Sequence, residues 1–174
     1  AHACAYVMSA LRIAWFKVYQ PQNYYAAYFS IRVSDFDIET MIKGYQAIRA
    51  RYDDLLSKGY EATNKEVNII DSLHVAMEAT ARGITFSPIS LEKSDATRFI
   101  IDDEKENALI PPFSTIDGLG DTVAKTIIEE RNKQPFISKE DLQKRGKVSK
   151  TLIDKMIMMG IINHLPDSNQ LSLF

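Results

Sequence analysis

Cysteine is nearly absent from this chain of 174 residues, which contains one, Cys4. A single thiol excludes an internal disulfide and a cysteine-rich zinc site, and a reducing compartment is the simplest environment for it. The three histidines, His2, His74 and His164, are too widely spaced to suggest a cluster of metal ligands. The sequence therefore predicts no disulfide framework and no metal ion bound by this chain.

Long uncharged apolar runs are also lacking. The most apolar stretch, residues 1–19, is interrupted by Arg12 and Lys17, whereas a membrane span needs about 18 to 20 apolar residues in succession. We therefore expect a soluble, cytoplasmic protein without a membrane partner. The chain begins inside a helical pattern, with neither an initiator Met nor a signal-peptide pattern, and this predicts a fragment of a longer protein.

An excess of positive charge is lacking too, because 21 Lys and Arg side chains stand against 23 Asp and Glu, a formal charge of -2. This balance argues against a histone-like protein that binds nucleic acid through bulk charge. However, residues 61–109 are strongly acidic, whereas residues 1–60 and 110–160 are mildly basic. One basic cluster consists of Lys139, Lys144, Arg145, Lys147 and Lys150. It predicts a surface that faces phosphates, with a solvated helix face as the alternative.

Helical periodicity and capping signals dominate the sequence. Residues 1–19 contain neither Gly nor Pro and predict a helix that is apolar on most sides and buried in something large. Further helices are predicted at 22–30, 37–57, 64–82, 120–132, 138–145 and 149–159. Thr63, in a capping box with Glu66, Ser138, in a capping box with Asp141, and Ser149 are the expected caps of the helices at 64–82, 138–145 and 149–159. Residues 84–113 carry three prolines and short β-favouring runs. We expect a mainly α fold with a small β-containing connector.

The segment 116–124 contains two glycines on either side of one apolar residue, in the order Gly118, Leu119, Gly120. The glycines allow a sharp turn, Leu119 anchors it in a core, and Gly120 begins a helix whose unpaired N–H groups bind anions. The pattern is typical of a helix-hairpin-helix, which grips the sugar-phosphate backbone, and Lys125 lies one turn into the helix. A plain tight turn with a glycine cap is the alternative.

The chain ends in a tail with three large apolar residues, which gain nothing in water unless a partner buries them. We predict that this tail is a linear peptide motif. It resembles the QLxLF pentapeptide by which bacterial replication proteins bind the sliding clamp. The residues assigned to clamp binding are Gln170, Leu171, Leu173 and Phe174. A tail folded back on its own domain is the alternative.

Four ordered motifs resemble one known family along essentially the whole chain. They are AHACAYV, FSTIDGLGDTVAKTIIEER, SKEDLQKRGKVSKTLIDKM and the terminal NQLSLF. Together they resemble the C-terminal end of the alpha subunit of bacterial replicative DNA polymerase III of the PolC type, a C-family polymerase. The resemblance implies fingers helices followed by a duplex-binding domain with tandem helix-hairpin-helix elements and a clamp-binding tail.

On this resemblance the chain divides into four parts. They are 1–83, the end of the fingers; 84–113, the connector; 114–163, the helix-hairpin-helix domain; and 164–174, the tail. The resemblance implies part of a DNA-directed DNA polymerase in bacterial chromosome replication, associated with the nucleoid. The implied partners are duplex primer-template DNA, the incoming dNTP, the sliding clamp and other replisome subunits.

The resemblance also assigns individual residues. His2 and Tyr6 match fingers positions that face the incoming nucleotide, with hydrogen bonds inside the fingers as the alternative. The expected DNA-binding residues are Gly118, Leu119, Gly120, Lys125, Lys144, Arg145, Lys147 and Lys150. The family's catalytic carboxylates lie in the palm, outside this chain, so we expect Mg²⁺ to serve the full-length polymerase and this fragment to bind none and to be inactive alone.

Two other functions fit parts of the sequence. A non-catalytic helix-hairpin-helix protein of repair or recombination with a clamp-binding tail is the main alternative. It does not need the apolar helix at 1–19. An independent enzyme acting through His2 or Cys4 is disfavoured, because the sequence supplies no base, orienting acid or oxyanion donor in ordered proximity.

Overall fold

The fold is mainly α-helical, as predicted. The computed structural model describes residues 1–168, and within them the chain forms eight α-helices and one three-stranded sheet. The helices are α1 His2–Tyr19, α2 Pro21–Arg32, α3 Ile38–Met41, α4 Tyr45–Ser57, α5 Asn64–Ala81, α6 Asp121–Lys133, α7 Lys139–Arg145 and α8 Lys150–Met158. The strands are β1 Thr85–Phe86, β2 Ile100–Ile101 and β3 Ala108–Ile110.

The chain folds as two compact units. The first contains residues 1–87 and 98–109, and the second contains 88–97 and 110–168. The segment 84–113, expected to form a connector, is shared between them. No helix within residues 1–168 has the length and apolar character of a membrane span.

Capping residues set most helix ends where the sequence predicts them. The hydroxyl of Thr63 accepts from the Glu66 N–H while the Glu66 carboxylate accepts from the Thr63 N–H, so the predicted capping box begins α5. The prediction of one helix over 37–57 was wrong. Gly44, with φ +86°, separates α3 from α4, because this backbone conformation cannot continue a helix.

Helix α1 is exposed on most of its surface. None of its residues is buried, and nine large apolar side chains lie in solvent. The prediction that this helix is buried is therefore not met within residues 1–168, where α1 contacts mainly α2 and α5. Lys17 pairs with Glu78 on α5 at 2.6 Å, and Arg82 donates to the Lys17 carbonyl at 2.8 Å. These contacts fix the C-terminal end of α1.

The core of the first unit joins helices α2, α4 and α5 to the sheet. Phe29 lies at its centre, with ring centroids 5.4 Å from both Phe86 and Phe99. Strand β3 lies between β1 and β2 and pairs in parallel with β1, where Thr85 is opposite Ala108. The aromatic contacts therefore attach the small sheet to the helices.

The second unit packs α6, α7 and α8 around a separate core. Phe113, Ile127, Leu142 and Met156 are fully buried there. The guanidinium of Arg131, on α6, donates to the carbonyls of residues 91 and 94 at 2.9 Å each, which holds the 88–97 loop on the helix. Three predicted helices, at 120–132, 138–145 and 149–159, match α6, α7 and α8 closely.

Candidate nucleic-acid interface

The first hairpin, residues 116–121, is a tight turn that leads into α6. The Leu119 N–H donates to the Ile116 carbonyl at 2.9 Å, and both side chains are buried. Gly118 has φ +86°, a conformation that favours glycine. Gly120 precedes α6 and provides no side-chain cap, so within residues 1–168 no side chain caps the first amides of this helix, which begins at an exposed position.

The second hairpin, residues 146–150, connects α7 to α8. Gly146 is required by packing, because a Cβ there would lie 2.7 Å from the Leu142 carbonyl oxygen. Lys147 has φ +54°, which is uncommon for a residue with a side chain. The Ser149 hydroxyl accepts from the Leu152 N–H at 3.3 Å and caps α8. An α-helix thus lies on each side of the second hairpin. The first hairpin is instead preceded by a 3₁₀ turn, Phe113–Thr115, and followed by α6.

The two hairpins repeat one backbone conformation. Gly118 and Lys147 have positive φ, and the next residue in each hairpin is buried. Gly120 and Ser149 follow, with φ of -75° and -67° and ψ of 157° in both, and a helix begins at the next residue. The sequence shows this repeat only weakly, because a lysine stands in the second hairpin where the first has a glycine.

Three lysines of the predicted DNA-binding set extend into solvent near the hairpins. Lys125, Lys147 and Lys150 are exposed, and no hydrogen bond or ion pair within the described chain engages their ammonium groups. Lys144 is also exposed but pairs with Glu140, four residues earlier, at 2.6 Å. The positive charge is therefore concentrated at the second hairpin.

Arg145 belongs to the same predicted set, but the structure gives its guanidinium internal partners. It donates to the Glu130 and Gln134 carbonyls at 2.6 and 2.8 Å and to the Asp141 carboxylate at 3.0 Å, and it lies over the Phe136 ring. Lys133 and Arg145 together hold the pKa of the Glu130 carboxyl below its usual range. Arg145 thus joins α7 to the end of α6.

Acidic side chains flank the first hairpin. Asp121 is the first residue of α6, where its carboxylate interacts favourably with the helix dipole, and Asp117 is exposed beside Gly118. Lys155, on α8, donates to the Asp117 carbonyl at 3.1 Å and lies 3.5 Å from its carboxylate. Sequence reasoning missed this contact, which joins residues 38 positions apart.

The predicted nucleotide-contact residues lie together in the first unit. The rings of His2 and Tyr6 meet edge to face on α1 with centroids 4.5 Å apart, and both side chains are exposed. Residues 170–174, assigned to clamp binding, lie outside the described residues. Within residues 1–168, no three His, Cys, Asp or Glu side chains are grouped so as to hold a metal ion.

Comparisons with known proteins agree with this architecture. Residues 83–171 match the family model of the helix-hairpin-helix motif. All 174 residues align with DNA polymerase III of the PolC type from Bacillus subtilis at 53% identity, from Latilactobacillus sakei at 51% and from Lactococcus lactis at 49%. The alignments cover 12%, 12% and 10% of those relatives, so the chain spans about a tenth of their length. The chain therefore belongs to the helix-hairpin-helix family and is similar over its whole length to part of the PolC-type DNA polymerase III.

Proposed function

We propose that this chain binds duplex DNA through its two hairpins, without reading base sequence, as part of a replicative DNA polymerase. The observation that carries the proposal is the repeated backbone of residues 118–121 and 147–150. Each hairpin presents a helix start and an exposed turn, the arrangement that suits a phosphate group. Contacts of this kind position a duplex and do not distinguish its bases.

The two hairpins offer phosphates different groups. The first provides main-chain amides at Gly118, at Gly120 and at the start of α6, because no side chain of residues 1–168 caps that helix. The second provides the ammonium groups of Lys147 and Lys150, since the hydroxyl of Ser149 already caps α8. Two contact modes on one domain are compatible with binding two phosphates of the same duplex.

Both lysines of the second hairpin occupy locally unfavourable positions. Lys147 has a positive φ, which costs about 1 kcal/mol or more in a residue with a Cβ. Lys150 is the first residue of α8, where the helix dipole repels a positive charge. An anion bound at this hairpin would offset both costs, and departures from local preference of this kind are expected at functional positions.

Two residues of the predicted set support the hairpins from inside the domain. Leu119 is buried and anchors the first turn, while Arg145 bonds the end of α6. We therefore propose Gly118, Gly120, Lys125, Lys144, Lys147 and Lys150 as the DNA-facing residues.

The test is duplex binding across a salt series. The logarithm of affinity should fall linearly with the logarithm of salt concentration, with a slope that corresponds to contacts with a few phosphates. Duplexes of unrelated base sequence should give the same slope and affinity. Replacing Lys147 and Lys150 by Gln should reduce that slope by about two units. Lys133→Gln is the control, because it removes an exposed lysine paired with Glu130. Binding that depends on base sequence would contradict the proposal.

Polymerase activity and nucleotide contact are proposed for the longer protein. We propose that His2 and Tyr6 contact the incoming dNTP, supported by their ring contact on exposed α1. In that bacterial replication enzyme, carboxylates outside this chain would hold Mg²⁺, and other replisome subunits would be its partners. A polymerase carrying Tyr6→Ala should show a raised KM for dNTP. An unchanged KM would contradict the assignment.

We further propose that the tail tethers the polymerase to the sliding clamp. The residue pattern of Gln170, Leu171, Leu173 and Phe174 supports this proposal. Deleting the last two residues should weaken clamp binding about tenfold or more and leave duplex binding unchanged, because anchors of this size dominate a small interface. Equal loss of both activities would contradict separate roles for the tail and the hairpins.

A further inference from the structure

Lys155 connects the helix after the second hairpin to the turn of the first. Its Nζ donates to the Asp117 carbonyl oxygen at 3.1 Å and lies 3.5 Å from Asp117 Oδ2. A Cβ added to Gly118 would lie 3.9 Å from a methyl group of Leu152, on the same helix. Helix α8 therefore supports the first hairpin as well as the second.

The bond to the Asp117 carbonyl fixes the direction of a peptide group. Asp117 and Gly118 share that group, and in a trans peptide the C=O and N–H point to opposite sides. Because the carbonyl points to Lys155 on α8, the Gly118 N–H points away from α8. Gly118 is exposed, and no group of residues 1–168 accepts a hydrogen bond from its N–H. The lysine thus directs an amide donor outward.

Lys155 also changes the charge beside that amide. The Asp117 carboxylate is two-thirds exposed next to the turn and would repel a phosphate, whereas the Lys155 ammonium is largely covered, with 28% of the side chain exposed. Placing the ammonium against the carboxylate offsets this repulsion. A largely covered lysine is suited to this task and poorly suited to direct phosphate contact.

We infer that Lys155 is a positioning residue for DNA binding: it orients the Asp117–Gly118 peptide and offsets the Asp117 charge so that the first hairpin receives a phosphate. This inference rests on the proposed function. It requires that Lys155 act through the first hairpin, and that requirement can be measured.

The experiment is a double-mutant cycle on the 174-residue chain with a fluorescent 20-base-pair duplex in a salt series. Lys155→Met should weaken binding about tenfold, since the hydrogen bond from a charged group that orients the hairpin amide is lost, with an unchanged salt slope. Lys155→Arg should bind within about twofold of the native chain because the donor is kept. In a Gly118→Ala background, Lys155→Met should have no further effect, since the hairpin is already distorted. Lys133→Met is the control for loss of one exposed cation.

Additive effects of Lys155→Met and Gly118→Ala, with a salt slope reduced by about one unit, would show a direct phosphate contact and overturn the inference. An effect equal to that of Lys133→Met would also overturn it.

The amide signal of Gly118 in a ¹H–¹⁵N spectrum tests the turn without DNA. A shift in Lys155→Met but not in Lys133→Met supports the contact, and unchanged signals in both reject it. If the native chain binds no duplex, the proposed function fails, and the inferred role in DNA binding fails with it.

Discussion

Replacing Gly120 by serine should separate DNA binding from folding in this domain. Gly120 has φ -75°, and a Cβ there would meet no atom of residues 1–168 within 4 Å. Serine is therefore sterically acceptable at this position. Ser149 occupies the matching position of the second hairpin with nearly the same φ and ψ. The substitution makes the first hairpin resemble the second at the residue that begins the helix.

The expected magnitudes differ for stability and affinity. A serine cap should raise the free energy of unfolding by a few tenths of a kcal/mol, because serine is a slightly better N-cap than glycine. Its hydroxyl would accept from the third amide of α6, as Ser149 does from Leu152 in α8. That amide is then no longer available to bind a phosphate. Losing one hydrogen bond to a charged group costs about 1.5 kcal/mol, or about tenfold in affinity.

The assay is fluorescence anisotropy with a duplex at several salt concentrations, alongside urea unfolding. The salt slope should stay unchanged, because no cation is removed. The reciprocal variant, Ser149→Gly, is the matched control. It should lose a few tenths of a kcal/mol of stability and lose no affinity. An unchanged affinity for Gly120→Ser, with its stability retained, would refute the view that the amides at the start of α6 bind phosphate.

Other substitutions test the support of the hairpins and the first unit. Arg145→Met should lower the free energy of unfolding of the second unit by about 2–4 kcal/mol in urea melts, because several partly buried bonds lose their donor. Gly146→Ala should cost about 1–3 kcal/mol in the same assay, since a Cβ would lie 2.7 Å from a carbonyl oxygen. The hydrogen bond from Lys58 is the largest of the causes that lower the pKa of Glu66 from 4.5 to about 2. The ionised Glu66 carboxylate therefore stabilises the folded chain fully above about pH 4.5, and this contribution is lost as the pH falls towards 2. Glu66→Gln should lower the Tm at neutral pH and differ little from the native chain near pH 2.

Local signals in the sequence were sufficient to predict most helices and the first hairpin. Thr63, Ser138 and Ser149 all cap the helices that they were expected to begin, because capping depends on residues only three positions apart. The break at Gly44 was missed because the apolar positions on both sides keep helical spacing. A single glycine inside such a pattern does not reveal whether its φ is negative or positive.

The second hairpin and the supporting contacts could not be predicted in the same way. Lys147 adopts a positive φ although glycine is the usual residue there, so the glycine pattern that identifies the first hairpin is absent. Arg145 lies in a basic cluster, and only the fold shows that its guanidinium is bonded to α6. The contact between Lys155 and Asp117 spans the domain and depends on how its helices pack.

The distribution of charge explains how a chain with a formal charge of -2 can support the proposed nucleic-acid interface. In the second unit, Arg145 and Lys155 form ion pairs with carboxylates and add little to the electrostatic potential at the protein surface. The ammonium groups of Lys147 and Lys150 have no partner among residues 1–168, and the first turn of α8 contains no acidic residue. At the first hairpin, Asp121 opposes an incoming phosphate at close range. The second hairpin should therefore supply most of the salt-dependent affinity, while the first contributes main-chain hydrogen bonds that depend little on salt.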